Sequence, residues 1–237
     1  MKFLIFFLIS ALGYAQTNPT IRTARPGQSV GAFALGNRII QLQSGYQYND
    51  LNANDSQLIN NVIRYGIGEQ FELSTVFDYK SDQNDNLGVD NLQLGARYSF
   101  GFKERLIKAI GLQLRTRFKG TGDFERQRQS FLFTTAVAFD TGNSFSCLTN
   151  LTFKNDGNDP YIKTFYAVNF TFPASDSTSF FFEPYGIRNR NENVLSINAG
   201  LSYTYNSDLA FDLSAGRDVH NSTAKFVSFG LSVRRMP

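Results

Sequence analysis

The chain has 237 residues, a formal charge of +3, and 24 Phe and 11 Tyr beside a single Cys. So mild a positive balance, with no basic cluster, gives no footing for nucleic-acid binding. One thiol, Cys147, excludes an internally disulfide-bonded scaffold.

The N-terminus predicts export. Met1-Lys2 supplies a positive charge, Phe3 to Leu12 an apolar stretch, and Gly13-Tyr14-Ala15 a small-x-small cleavage site. That order is expected of a secretory signal peptide over residues 1–15, too short to cross a bilayer as a helix. No later apolar run approaches the roughly 18 residues a spanning helix needs. Residues 16–37 carry Pro19, Pro26, Gly27, Gly31 and Gly36 and show no periodicity. This segment is too short for a plug domain. Two arrangements are open: it tucks into one mouth of the domain that follows, with Arg22 and Arg25 reaching inward acids, or it is a disordered leader.

From Arg38 onward the chain alternates apolar and polar residues in twelve runs separated by turn residues. In Asn91 to Phe100, Leu92, Leu94, Ala96, Tyr98 and Phe100 share one side and Asn91, Gln93, Gly95, Arg97 and Ser99 the other. A strand alternates sides with period two, so each run has one apolar and one polar face. The spacing predicts strands over 38–48, 58–67, 71–79, 89–100, 107–118, 129–139, 144–153, 161–172, 178–187, 194–205, 209–217 and 225–233. These suit the about nine to eleven residues that a tilted strand needs to cross a bilayer. Short connections such as 68–70 and 206–208 alternate with longer polar ones such as 80–88 and 119–128, as in outer-membrane barrels with short periplasmic turns and long outer loops. Aromatics on the apolar face gather at both strand ends: Tyr98, Phe139, Phe172 and Tyr203 by the short turns, and Tyr48, Phe77, Phe131 and Phe153 toward the long loops. Two such belts mark the two membrane interfaces. The expected fold is all-β: a transmembrane antiparallel up-and-down barrel of about 12 strands over residues 38–237. A soluble sandwich would bury the same face, but with shorter strands. Cys147 shares the apolar face with Phe145, Thr149 and Leu151 and reads as a small lipid-facing filler.

The polar face carries the functional expectations. Its lumen-lining candidates are Arg64, Glu72, Asp78, Gln93, Arg97, Gln113, Arg115, Arg117, Glu183, Asn198 and Asp212, with glycines such as Gly45, Gly66, Gly95, Gly111, Gly200, Gly216 and Gly230 in the same register. Small inward residues would let larger side chains fold across the lumen. Four bases, Arg64, Arg97, Arg115 and Arg117, face four acids, Glu72, Asp78, Glu183 and Asp212. A strongly selective pore would favour one sign, so the balance points to internal ion pairs that brace or narrow the bore. Adjacent Arg115 and Arg117 are the expected constriction contact.

Other chemistry finds little support. The one histidine, His220, has Asp218 and Ser222 close by in a loop, but triads are defined by geometry and not by adjacency. Metal-ligand spacing of His or Cys is absent. Asp82, Asp85 and Asp90 could bind calcium weakly, and solvated loop acids are the simpler reading. No cofactor is expected.

A resemblance adds to this reading. Thr23-Ala24-Arg25-Pro26-Gly27-Gln28-Ser29-Val30-Gly31, Gln41 to Tyr46, Ile63-Arg64-Tyr65-Gly66-Ile67 with Phe71-Glu72-Leu73, Leu92 to Tyr98, Phe182-Glu183-Pro184-Tyr185-Gly186 and Phe226 to Ser232 occur in this order. The set resembles the outer-membrane barrel family called putative MetA-pathway of phenol degradation, whose members are labelled transporters. The resemblance implies an exported barrel of Gram-negative bacteria, particularly of the Bacteroidetes type, passing small, aromatic or apolar compounds. The chain departs from many outer-membrane barrels in ending Arg234-Arg235-Met236-Pro237 and not on an aromatic residue. A signal for the barrel-assembly machinery would then lie in Phe226, Phe229 and Val233. The expected function is passive passage of small solutes across the outer membrane, among outer-membrane lipid and lipopolysaccharide. A closed-lumen structural or surface-interaction barrel is the alternative, and a lipid-modifying enzyme a third.

Overall fold

The computed structural model describes residues 20–235, apart from 22, 24, 26, 51–54, 104–105, 143, 191 and 222–223. The signal-peptide assignment and the expectations for Arg22 and Ser222 fall outside the described residues. Twelve strands follow in chain order: β1 (Ile40–Asp50), β2 (Ser56–Gly66), β3 (Phe71–Asp82), β4 (Leu87–Gly101), β5 (Ile107–Arg117), β6 (Ser130–Phe139), β7 (Ser146–Lys154), β8 (Lys163–Pro173), β9 (Thr178–Asn189), β10 (Glu192–Asn206), β11 (Leu209–Asp218) and β12 (Lys225–Arg235). Each pairs antiparallel with its chain neighbours, and β1 pairs with β12, from Ile40 opposite Arg235 to Asp50 opposite Lys225. The sheet is thus a closed barrel without a free edge, the one β arrangement that satisfies every backbone group inside hydrocarbon.

Burial is inside out. Leu114, Phe131 and Phe229 on the outer face are 54%, 59% and 58% exposed, whereas Gln41, Glu72 and Glu183 on the inner face are 0% exposed. Hydrophobic burial against a protein core does not explain this arrangement. A hydrocarbon solvent outside and a packed polar interior do.

Eight of the twelve strands run further toward the long-loop end than alternation predicts, whereas β5, β6 and β8 stop one or two residues short of it. β3 continues through Ser81 and Asp82, which pair with Gln57 and Ser56, and Glu192 pairs with Asn189, so the β9–β10 connection shrinks to residues 190–191. Beyond the bilayer both faces meet water. The backbone ladder can then continue through residues polar on both sides, where side-chain pattern no longer marks a strand. The longest remaining connections are 118–129, which contains a 3-10 turn at Gly122–Phe124, and 155–162. A bulge between β3 and β4 leaves Asp90 as the extra residue, since Asp78 faces Asn91 and Tyr79 faces Val89. Bulges re-aim side chains, and here Asp90 meets Arg117 of β5 and Arg126 of the 118–129 connection.

Residues 20–39 do not trail from the barrel. The described residues among them enter at the short-turn end, where the Ile21 N–H donates to the Ser207 carbonyl at 2.8 Å, and meet the inner wall until Ile39. Gly36, at φ 100°, and Arg38, at φ 58°, turn the chain into β1. Both lie in the left-handed region, which glycine adopts readily and other residues seldom do.

Candidate functional site in the lumen

The N-terminal segment forms a strap that circles the lumen in its short-turn half. Arg25 reaches β11 and β12, donating from Nε and Nη2 to the Asp212 carboxylate at 3.3 and 3.2 Å and from Nη2 to Ser228 Oγ at 2.8 Å. The strap then meets β9, where Glu183 accepts the Gln28 N–H at 2.6 Å, the Ser29 N–H at 3.2 Å and the Ser29 hydroxyl at 2.5 Å. Asn169 of β8 donates to the same carboxylate at 3.1 Å. Asn150 of β7 holds Val30 at both backbone groups, accepting its N–H at 2.6 Å and donating to its carbonyl at 3.0 Å. Ala32 packs on Ala109 and Ala136, and its carbonyl accepts from Ser99 Oγ at 2.9 Å.

The strap ends against a buried charge cluster. Arg64 donates from Nε and Nη2 to the two oxygens of Glu72 at 2.8 and 2.7 Å, and Arg97 lies 3.6 Å from the same carboxylate. Two guanidinium groups thus share one carboxylate in a buried site. The strap supplies a further acceptor, the Phe33 carbonyl, to Arg97 at 3.2 Å and to Arg64 at 3.5 Å, and its Leu35 N–H donates to Glu72 at 3.2 Å. Buried ions are tolerable only when such hydrogen bonds complete their shells.

Glycines on the wall make room for the strap. A Cβ at Gly45 or at Gly230, its cross-strand partner, would overlap the Arg25 guanidinium, and one at Gly66 would overlap the Gly36 carbonyl. The expectation that small inward residues free space for strand side chains holds at Gly95, under Arg115, and at Gly216, under Phe226. At Gly45, Gly66 and Gly230 it is corrected: the space belongs to the strap, because residues far apart in the chain share that level of the bore.

The long-loop half has a different lining. Gln113 lies between Arg97 and Arg115, its carbonyl oxygen accepting from them at 3.0 and 3.3 Å. Arg115 also approaches Gln93 at 3.5 Å, and Gln93 donates to Asn91 at 2.7 Å. Asp78 accepts from Asn91 at 2.7 Å and from Asn60. Asp90 takes Arg126 at 2.6 Å, with Arg117 at 3.9 Å. Lys154 lies 5.5 Å from the centroid of the Phe165 ring, which in turn is 6.1 Å from Tyr185. The 118–129 connection folds back on β4: Asp123 accepts the Leu87 N–H at 2.9 Å, and Lys80 sits over Phe124 at 4.8 Å. In the 155–162 connection, burial would raise the Asp156 pKa. The Lys163 ammonium and the Asp159 and Asn158 N–H groups outweigh it and bring the carboxyl to about 2.

All eleven candidates thus lie on the inner face, in two groups. Arg64, Glu72, Arg97, Glu183 and Asp212 meet the strap. Asp78, Gln93, Arg115 and Arg117 line the long-loop half, Gln113 joins the two groups, and Asn198 faces Glu183 in cross-strand register. Asn150, Ser228 and Ser29 are structurally engaged and were absent from the sequence-based set; only their place in the polar register marks the first two. The loop acids do not converge. Asp82 accepts from the backbone of Asn84 and Asn86, Asp90 serves arginines, and no group of three metal-ligating residues occurs among the described residues. Asp218 accepts the backbone N–H groups of its own loop at His220 and Asn221, at 2.7 and 2.9 Å.

A closed twelve-stranded barrel with an apolar belt and a polar lumen defines the class: these are the marks of an outer-membrane β-barrel. Residues 23–234 match the family described as "Putative MetA-pathway of phenol degradation", and the chain belongs to that family. No curated protein matches at the level of sequence. Among solved structures, the chain is similar to an outer membrane channel from Pseudomonas putida F1, with TM-score 0.67 and 11% identity over 90% of this chain and 100% of that one. It is also similar to the KdgM porin in complex with disordered oligogalacturonate, with TM-score 0.61 and 12% identity over 81% and 98% of the two chains. Outer membrane phospholipase A from Escherichia coli follows the same fold, with TM-score 0.51 and 14% identity over 84% and 93%. At such identities the likeness concerns the fold.

Proposed function

We propose that the protein is an outer-membrane channel for the passive passage of small solutes, closed at rest by its own N-terminal strap, and that it carries no catalytic activity. The observation that carries this reading is how the bore is filled. In its short-turn half the lumen is occupied by a segment joined to the barrel wall through β1, held among the described residues by hydrogen bonds and one ion pair, and not by strand side chains alone. A filler of that kind can leave without unfolding the barrel. The lining of the long-loop half includes Arg115, Arg117 and Lys154 together with Phe165 and Tyr185, surfaces suited to small aromatic solutes with a polar or anionic group. The family description and the likeness to channel and porin folds support the same reading.

The test is conductance in planar bilayers of the full chain and of a form lacking residues 20–36. The expected result is small or intermittent conductance for the full chain and a several-fold larger, steady conductance for the shortened one. Absence of conductance and of liposome solute uptake in both forms would overturn the channel and favour a closed-lumen structural barrel. Lipid hydrolysis by the full chain would overturn the non-catalytic reading.

A further inference from the structure

On the outer face of the wall from β9 to β1, small side chains interrupt a cover of larger ones. One cross-strand row, each residue paired with the next, reads Phe182, Ala199, Ala215, Val227 and Tyr48. Two adjacent alanines between bulky neighbours leave a groove of about 430 Å³. The row on its short-turn side, Phe180, Leu201, Leu213, Phe229 and Tyr46, fills its own space with rings and branched chains.

The row on the long-loop side is charged. Ile197 pairs with Arg217, Arg217 with Lys225, and Lys225 with Asp50. Lys225 is 3.1 Å from the Asp50 carboxylate, on the side away from Arg217. Arg217 is exposed and has no side-chain partner among the described residues. The row therefore holds two neighbouring cations and one acid, net +1, at the top of an apolar groove that faces hydrocarbon. A guanidinium presents a planar fork of donors that matches phosphate oxygens, and an ammonium beside it adds a second point of attraction.

We propose that this wall binds one phosphorylated lipid of the leaflet at the long-loop end. Its phosphate bridges Arg217 and Lys225, and one acyl chain lies over Ala199 and Ala215, between Phe182 on one side and Val227 and Tyr48 on the other. Asp50 holds the Lys225 ammonium from the neighbouring strand opposite Arg217. A soluble phosphate would use the cations and leave the groove empty, so the apolar floor assigns the site to a lipid. The inference rests on the membrane-spanning fold and not on the channel reading, and its readout is separate from conductance.

The test uses the full chain in zwitterionic detergent, with lipid retention read by native mass spectrometry and folding checked by heat-modifiable gel migration. The probes are dioleoyl phosphatidylglycerol, dioleoyl phosphatidylcholine and inorganic phosphate. The expected result is retention of one phosphatidylglycerol, roughly thirtyfold tighter than phosphatidylcholine, the scale of two basic residues beside an anionic headgroup. The pair Arg217→Gln with Lys225→Gln should erase that preference. Ala215→Leu, which fills the groove and keeps both cations, should lower retention of phosphatidylglycerol in a barrel that still folds. Unchanged preference in the charge variant overturns the proposal. So does unchanged retention in Ala215→Leu, which would mean a charge-only site, or displacement of the lipid by millimolar inorganic phosphate, which would mean a simple anion site.

Discussion

Arg25 and Asp212 are 187 residues apart in the chain and 3.2 Å apart inside the lumen, and their pairing pins the strap to the wall. Asp212 lies on β11 and Arg25 precedes β1, so the contact bridges the β1–β12 seam that closes the barrel.

Asp212→Asn tests that pin. It removes the charge partner of Arg25 and leaves the barrel wall intact. Charge-assisted hydrogen bonds are worth about 1.5–3 kcal/mol, so the strap should dissociate more often by a factor of ten or more. Longer and more frequent openings in single-channel records are expected. Records indistinguishable from those of the unaltered protein would mean that Arg25 is not what holds the strap.

Gly45→Leu attacks the same contact sterically. The new side chain would occupy the place of the Arg25 guanidinium, since even a Cβ overlaps it. The charge on Asp212 is retained. Conductance should rise as it does for Asp212→Asn, and combining the two substitutions should add little further.

Glu72→Gln should be far more costly to stability than to gating. It leaves Arg64 and Arg97 buried without their shared carboxylate. Removing one member of a buried charge group costs about 3–5 kcal/mol. A lower urea midpoint for loss of heat-modifiable migration checks this. Glu72→Leu combined with Arg64→Met, which removes one unmatched charge, should recover part of the loss.

Asp156 gives a pH prediction in the 155–162 connection. Its folded pKa, about 2, is below the ordinary value of about 3.9 for a free Asp. A depressed carboxyl contributes stability that is present above the unfolded value and is lost as pH falls through the folded one. The loop should therefore stay ordered above about pH 4 and loosen between about pH 4 and 2. Amide exchange at Asn158 and Asp159 measures it. Lys163→Met, which removes the partner ammonium, should move the loosening upward toward the ordinary carboxylate range.

Asp90→Asn should alter selectivity. It deprives Arg126 and Arg117 of their carboxylate and leaves the long-loop half more positive. In a salt gradient, the reversal potential of the form lacking residues 20–36 should shift toward greater anion preference. A shift toward cations would contradict the placement of these side chains in the permeation path.

Particular elements show how much of this was legible in the chain. Leu92, Leu94, Ala96, Tyr98 and Phe100 announce their common face, because side-chain alternation is a property of each strand taken alone. The inward position of Glu72, Arg97 and Asp212 follows from the same rule. The ends of β3 and β10 did not follow it, because Ser81, Asp82 and Glu192 pair where both faces are wet. Nor could the role of Gly45 be read, since its partner is a guanidinium on a segment without periodicity.

The sequence by itself determined the twelve strands, their order and which side chains face hydrocarbon, since each of these depends on neighbours along the chain and on the solvent outside. Tertiary structure alone decided that Phe33 completes the shells of Arg64 and Arg97, that Arg25 meets Asp212, and that two alanines on neighbouring strands open a groove beneath Arg217. Those contacts depend on the register in which the sheet closes and on the path of the strap within it, and neither leaves a local pattern in the residues that make it.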